Sequence, residues 1–424
     1  MTTQDVALAP DRLDGKTATL VFLAFAAAYF CSALLRAVTA TLAPVLTQEF
    51  ALQSRDLGLL AGGYFLGFAA VQLPLGTWLD RHGPKRVILW FLSLAALGCL
   101  AFSAAGSFAG LLTARVLVGM GVGACLMAAL TGYRRWFGAA TLLRANSWML
   151  MTGSFGMLAS TLPVQWLLPL TGWRPLFWLL AAMVVLSMGV IAGVVPHWRK
   201  AEAPALTAAL SGGSRQSGQS GYAPIWRSAY FRKLAPLGFF NYGGMVAVQT
   251  LWAGPWMVKV AGYTPLESAT GLFCINAIML ITFWSWGMVN PYLARNGWHA
   301  TRLIAWGVPL SLAVLAFNIL AGSATGWPGW ALFCVTSSVM ALAQPAVGMS
   351  FKAGLAGRAL SAYNLVVFAG VFVAQWGLGL LIDGFAAMGF IQVASFQAAM
   401  TVYLCCAIAA YGYFVSVNAD NSAQ

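Results

Sequence analysis

Apolar runs of about 20 residues recur along the chain, each long enough to cross a bilayer as an α-helix. Short polar or basic connections separate them. The pattern predicts twelve spans, over residues 17–44, 57–79, 86–106, 109–133, 143–169, 174–196, 233–258, 266–290, 300–321, 328–352, 359–382 and 393–416. Only 197–232 breaks the rhythm. Its Gly-, Ser- and Gln-rich run 212–221 has the composition of a flexible linker. The stretch from Ile225 to Lys233 then mixes aromatic and basic residues, as an interfacial helix would. The expectation is an all-α membrane protein: an N-terminal six-helix bundle over 1–196, a cytoplasmic linker over 197–232 and a C-terminal six-helix bundle over 233–424.

Composition agrees. Of 424 residues, 60% are hydrophobic and 8% charged, against about a quarter charged in soluble domains. Intrinsic disorder, a soluble basic domain on nucleic acid and a disulfide-rich secreted scaffold are thereby excluded. The residues up to Lys16 carry Asp5, Asp11 and Asp14 and lack the basic start and cleavage site of a signal peptide, so the first run is expected to stay as a helix.

The net charge of +13 resolves into topology. With the N-terminus in the cytoplasm, 18 of the 23 Lys and Arg fall on that side. Only Arg55, Arg174 and Lys259 fall outside. That asymmetry is the positive-inside signature, and it places both termini in the cytoplasm of a multi-pass protein of the bacterial inner membrane. The seven cysteines lie in apolar stretches without CxxC spacing, and His82, His197 and His299 are unpaired at metal-ligand spacing. Neither a metal, a cofactor nor an enzyme active site is expected, because no nucleophile and base cluster together.

Between spans two and three stands Gly76-Thr77-Trp78-Leu79-Asp80-Arg81-His82-Gly83-Pro84-Lys85-Arg86. This GxxxD(R/K)xGx(R/K)(R/K) pattern resembles the signature loop of the major facilitator superfamily. Gly76 suits a close helix approach and Gly83 a tight turn, while Arg81, Lys85 and Arg86 hold the cytoplasmic face. By resemblance, Asp80 latches the inner gate when a transporter faces outward. A worn copy follows span eight, with Gly287, Arg295, Gly297 and Arg302, but Ala294 replaces the aspartate, so the latch is one-sided. Arg115-Val116-Leu117-Val118-Gly119 in span four and Gly172-Trp173-Arg174 before span six also match. The resemblance implies two six-helix halves rocking about a midplane site, in a monomer. Drug-exporting members show GPxxGG in span five; here Gly153 to Pro163 holds no Gly-Pro.

All ten acids fall in loops or near span ends, none in the middle of a span. The mid-membrane charge is instead Arg36 in span one, roughly 8 Å past the helix centre at ~1.5 Å per residue. A guanidinium at that depth is costly, and its planar fork suits a carboxylate or phosphate. A substrate anion is the economical partner. Tyr29, Ser32, Arg36 and Thr39 share one helical face. Span seven offers Asn241, Met245, Gln249, Trp252 and Trp256 at similar spacing, span eleven Asn364 and Gln375, and span ten Gln344. The candidate substrate-binding set is Tyr29, Ser32, Arg36, Asn241, Gln249, Trp252, Asn364 and Gln375. The candidate gating set is Gly76, Asp80, Arg81, Gly83, Lys85, Arg86 and Arg115. Structural alternatives stand beside them. Arg36 is able to snorkel or bond backbone carbonyls, Arg115 suits a structural or gating role, the amides suit interhelical glue, and Trp252 and Trp256 suit packing.

Arg36, Pro44, Gln72-Leu73-Pro74 and Gly76 keep a spacing that resembles the superfamily's organic-anion branch, which implies an arginine in span one that binds carboxylate or phosphate. Leu35 stands where proton-coupled members often carry Asp, and Gln249 near the level where phosphate-ester exchangers carry a second arginine. A monoanion therefore fits better than a dianion. The expected function is transport of a small organic anion of monocarboxylate type by alternating access. Coupling is open among proton symport through Glu49, Asp56 or Asp383, anion exchange and facilitated diffusion. The rivals are a proton-coupled exporter of drugs or metabolites and an importer of a siderophore or metal complex, for which Met149, Met151 and Met157 offer sulfur.

Overall fold

The computed structural model describes residues 13–197, 221–351 and 353–417. Asp5, Asp11, Arg12, Arg199, Lys200, Glu202, Arg215, Lys352, Asp420 and nearly all of the Gly/Ser linker lie outside the described residues. Within them every regular element is helical. Nine helical stretches among the described residues are long and apolar enough to cross a membrane. The remaining expected spans are present in shorter pieces, so twelve rods result.

Span one is a single helix, Gly15–Phe50. Asp14 caps its start by accepting from the Thr17 N–H, and Ala51 closes its end in the left-handed region at φ 49°. Those hydrogen bonds hold the exposed Asp14 carboxyl below its ordinary pKa. Span two begins as Ser54–Ala70 and resumes at Gln72. Helix continues from there to Ala104 except at Gly83, where φ 77° and ψ 162° turn the chain between spans two and three. Only glycine takes that conformation freely, so the tight turn expected at Gly83 is made there.

Spans four, six, eight and nine follow as Phe108–Trp136, Trp173–Val194, Pro265–Arg295 and Ala300–Ala324. Span five divides into Ala139–Ala159 and Leu162–Thr171. Spans ten, eleven and twelve are Trp327–Met349, Ala353–Ala387 and Gln392–Ser416. Span seven differs from all of these. It runs as Ala229–Pro236, a π segment Leu237–Tyr242, Gly243–Ala247, a second π segment Val248–Trp252 and Ala253–Lys259.

The expected interfacial helix over 225–233 is only partly made. Ala223–Arg227 forms a short helix, and the Ser228 side chain then accepts from the Phe231 N–H to cap the helix that opens span seven at Ala229. Ile225 and Phe231 are buried, with the Phe231 ring 5.1 Å from Trp226. The aromatic residues there serve packing, and span seven starts four residues earlier than expected.

Spans one to six share one apolar core, and spans seven to twelve hold two further clusters. Lipid tails are as apolar as leucine, so helices in a bilayer associate through close backbone approach, which small residues allow. Span two carries two such stripes. A Cβ on Gly58 would collide with the Gln375 carbonyl, and one on Gly62 would stand 3.0 Å from the Phe372 ring, both on span eleven. On another face, Gly67 abuts the Val116 carbonyl of span four. Span two is thus wedged between its own half and the other.

That seam is locked at one end. The Asp383 carboxylate of span eleven accepts from the Ser54 N–H at 3.1 Å and the Arg55 N–H at 2.7 Å. Free N–H groups at a helix start favour an anion there, so one acid stitches the halves together. Nearby, Glu49 accepts from Trp173 Nε1 at 2.6 Å and pairs with Arg174 at 2.7 Å. Asp56 accepts from the Gln53 N–H. The three carboxylates named for proton coupling are therefore engaged in structural bonds in this conformation.

Candidate functional site

The six-plus-six packing leaves a cavity of about 90 Å³ between the halves. A single water needs only ~10–15 Å³ on this measure, so the chamber admits a small solute. Arg36 of span one is the only charged residue on its wall among the described residues. Span five contributes Ser154 and Met157, span seven Tyr242, Met245 and Gln249, and span eight Asn276, Met279 and Phe283.

The position of Arg36 is fixed from behind. The Tyr64 hydroxyl donates to the Ser32 carbonyl at 3.2 Å, and Arg115 donates to the Leu35 carbonyl at 2.9 Å. These two bonds pin the turn of span one that ends at Arg36. The Arg115 guanidinium is wholly buried, 5.4 Å from the Tyr64 ring centre. Phe68 and Phe368, one from each half, flank Arg36 with ring centres 6.0 Å from its guanidinium carbon. Aromatic faces attract a cation at this range.

Two guanidinium groups therefore sit mid-bundle without an ion-pair partner among the described residues. Arg36 Nε and two nitrogens of Arg115 are buried without a hydrogen-bond partner. A charge at the bilayer centre costs about 2.5–3.5 kcal/mol even on insertion scales. The rings offset part of that, and an anion in the chamber would offset more.

The opposite wall is neutral and hydrogen-bonded. Gln249 donates to the Asn276 side-chain oxygen at 3.0 Å, and Asn276 donates in turn to the Leu272 carbonyl at 2.9 Å. Because spans seven and eight run in opposite directions, this pair marks one end of the chamber. Tyr242 and Phe283 mark the other. Met245 and Met279 lie between, forming with Met157 a soft, polarisable wall.

Of the eight expected substrate-binding residues, Arg36 and Gln249 line the chamber. The other six do not. Tyr29 is buried against Gly153 of span five, where an added Cβ would stand 2.6 Å from its ring. Ser32 is buried within span one's packing, and Asn241 is buried within the second half. Trp252 donates to the Gln375 carbonyl at 3.1 Å, and the Gln375 amide donates to Thr250 at 3.0 Å. Asn364 accepts from Gln344 at 2.8 Å. In this conformation Trp252, Gln375 and Asn364 bond neighbouring helices.

The sequence reading passed over Tyr242, Val246, Thr250, Asn276, Met279 and Phe283 on this wall. Asn276 carried a signal, being an isolated amide within the apolar run of span eight. In the signature loop, Asp80, Arg81 and Arg86 are exposed, Lys85 is buried, and Asp80 joins none of the described ion pairs. Nothing stands within 4 Å of a Cβ placed on Gly76, so the close approach expected there is not made in this conformation.

Comparison with known proteins places this architecture. A "Probable sulfoacetate transporter SauU" of Cupriavidus necator is 28% identical over 172 residues, 40% of this chain and 39% of that protein. A "4-hydroxybenzoate transporter PcaK" of Pseudomonas aeruginosa is 30% identical over 155 residues, 35% of this chain and 33% of that one. The alignments thus span about two fifths or less of these relatives. The fold is similar throughout to a bacterial homologue of the human lysosomal transporter Spinster, with a TM-score of 0.74 at 16% identity over 95% of this chain and 97% of that chain. The family profile of the Major Facilitator Superfamily matches residues 25–375. This chain, an all-helical multi-pass membrane transporter and not an enzyme, belongs to the Major Facilitator Superfamily.

Proposed function

We propose that this transporter carries a small organic monoanion, anchored by Arg36, across the bacterial inner membrane. One observation carries the reading: the chamber's charge is a fixed guanidinium, and no described carboxylate stands near it to neutralise it. An arginine fork recognises a carboxylate or sulfonate through paired hydrogen bonds. The relatives' names support anionic cargo in general: 4-hydroxybenzoate is a monoanion, whereas sulfoacetate carries two negative charges.

The neutral walls refine it. A second charge on the cargo would face only the Gln249–Asn276 amide pair, so a monoanion suits the chamber better than a dianion. Three methionines and Phe283 suit an apolar or aromatic body behind the anionic group. The same thioethers are the one feature that favours a metal complex, but Arg36 beside them disfavours a cationic one.

Orientation follows from the basic residues. With the signature loop in the cytoplasm, the end locked by Asp383 faces outward, and the exposed Asp80 is a released inner latch. This arrangement suits an inward-facing transporter. Each half would then rock as a unit about the Arg36 chamber.

Uptake into proteoliposomes tests the reading. Radiolabelled aliphatic and aromatic monocarboxylates should accumulate or exchange, and Arg36→Ala should abolish this while the protein still purifies as a folded monomer. Wild-type transport by Arg36→Ala would remove the anchor. Outward, proton-driven flux of neutral or cationic dyes that ignores Arg36 would establish an exporter instead.

A further inference from the structure

Toward the end locked by Asp383, a second cavity of about 240 Å³ lies between spans one and seven. Ala40, Pro44 and Thr47 continue the face of span one that carries Arg36, at spacings of four, four and three residues. From Arg36 to Thr47 is roughly 16 Å along the helix axis at ~1.5 Å per residue. The other wall holds Gly254 and Lys259 of span seven and Ser268 of span eight. Gln48, which also lines the cavity, is exposed, so the space reaches the surface there.

Lys259 stands apart among the charges at this end. Glu49 is bound to Arg174 and Trp173, Asp56 to Arg55 and the Gln53 N–H, and Glu267 to Thr264. Lys259 joins none of the described ion pairs. The Asp383 carboxylate acts on its ammonium, yet both oxygens of that carboxylate already accept backbone N–H groups from span two. The cavity therefore holds a half-buried ammonium that makes no ion pair among the described residues.

Spans one and seven meet between the two cavities. A Cβ on Gly254 would stand 3.5 Å from the Ala40 carbonyl, ordinary contact distance.

We propose that this second cavity is an outer vestibule for small organic anions, in which Lys259 gathers the anion before it passes along span one to Arg36. The inference rests on the reading of Arg36 as anion anchor and on the orientation given above. A cation set in a low-dielectric cleft concentrates counter-ions by focusing its field. Two cations along one helix face then give the cargo two successive stations.

Thiol labelling tests this without a known substrate. Gln48→Cys is placed at the vestibule mouth, and intact cells receive one of two membrane-impermeant methanethiosulfonate reagents, sulfonate-bearing or trimethylammonium-bearing. Rates are corrected for the parent protein with its seven native cysteines. The sulfonate reagent should react from outside, and Lys259→Gln should lower the sulfonate-to-ammonium rate ratio at least fivefold. Lys259→Arg should keep the wild-type ratio. An unchanged ratio in Lys259→Gln would overturn the proposal, as would reaction from the cytoplasmic side only or no reaction from either side. Arg36→Ala in the same background should leave the ratio intact, so a failed vestibule and a failed anchor give different results.

Discussion

Span one crosses the protein as one α-helix of 36 residues, whereas span seven covers its course in five segments, two of them π. They face each other across the same chamber. Span one presents a single cation, and the turn beneath it is pinned through the Ser32 and Leu35 carbonyls by Tyr64 and Arg115. Span seven presents an aromatic ring and an amide, Tyr242 and Gln249, on wide turns of the kind that recur in helices at functional sites, with the Met245 thioether on the α turn between them. Gly238, Gly243 and Gly244 let it press against spans eleven and twelve. The contrast separates two tasks. A buried charge needs a rigid seat, because its desolvation cost changes with every shift of its surroundings. A wall that opens and closes around cargo needs helical turns that can re-register.

The sharpest way to break this contrast is Arg36→Ala. Loss of a charge-assisted hydrogen bond worth about 1.5–3 kcal/mol predicts a roughly 10- to 100-fold loss of affinity for a monocarboxylate. Thermal stability in detergent should hold or rise, since an uncompensated charge is removed.

Arg115 tests whether the seat matters apart from the anchor. Arg115→Met removes a charge-assisted bond worth about 1.5–3 kcal/mol from the Leu35 carbonyl, which keeps its place in the helix ladder. Affinity should fall about 10-fold with Arg36 still present, and Arg115→Lys should recover part of it. Equal affinity in Arg115→Met would make the pinning irrelevant to binding.

A matched pair of glycines compares stiffness directly. Gly156 of span five abuts the Phe30 carbonyl of span one, and Gly243 of span seven abuts Val367 and Gly370. Gly156→Ala should lower thermal stability by about 1–3 kcal/mol, the usual range for overpacking. Gly243→Ala should cost less, because its Cβ would meet its neighbours at 3.0 Å, a shallower clash than at Gly156, and the adjoining π turns can absorb the shift. The reverse order would contradict the division between rigid and adaptable span.

Gln249→Leu has the smallest expected effect. Interhelical hydrogen bonds in membrane proteins average about 0.6 kcal/mol with a maximum near 1.7. Affinity should change by about 3- to 15-fold, read as KM in uptake, with Vmax affected through the freed Asn276.

The same contrast explains what could be read from the chain. Apolar run length marked all twelve spans, because bilayer thickness sets helix length whatever the packing. Arg36 stood out because a lone guanidinium amid apolar residues has few inexpensive explanations. The amides were harder. A helical face shows which residues avoid lipid, yet not whether they meet a cavity or a neighbouring helix, so Gln375, Trp252 and Asn364 looked like site residues while tying helices together. Span seven added a second obstacle. Spacing at 3.6 residues per turn groups Asn241 with Met245 and Gln249, but a π turn carries more than four residues. Over Leu237–Tyr242 the wider turn brings Tyr242 to the chamber and leaves Asn241 buried within its own half. The glycine stripes of span two were equally visible as spacing, yet only packing shows that one faces span four and the other span eleven.

The central claim is that the chamber recognises negative charge through Arg36. The most direct measurement compares monocarboxylates with their neutral amides, such as benzoate with benzamide, by thermal shift on the purified protein and on Arg36→Ala. Ligand at 100 times its Kd adds about 2.7 kcal/mol of apparent stability, a readable shift. The account predicts that carboxylates raise the Tm of the wild-type protein, that the amides do not, and that Arg36→Ala responds to the same carboxylate concentration with at most about half the stabilisation. Amides as effective as their acids, or equal stabilisation of Arg36→Ala by the carboxylates, would contradict it.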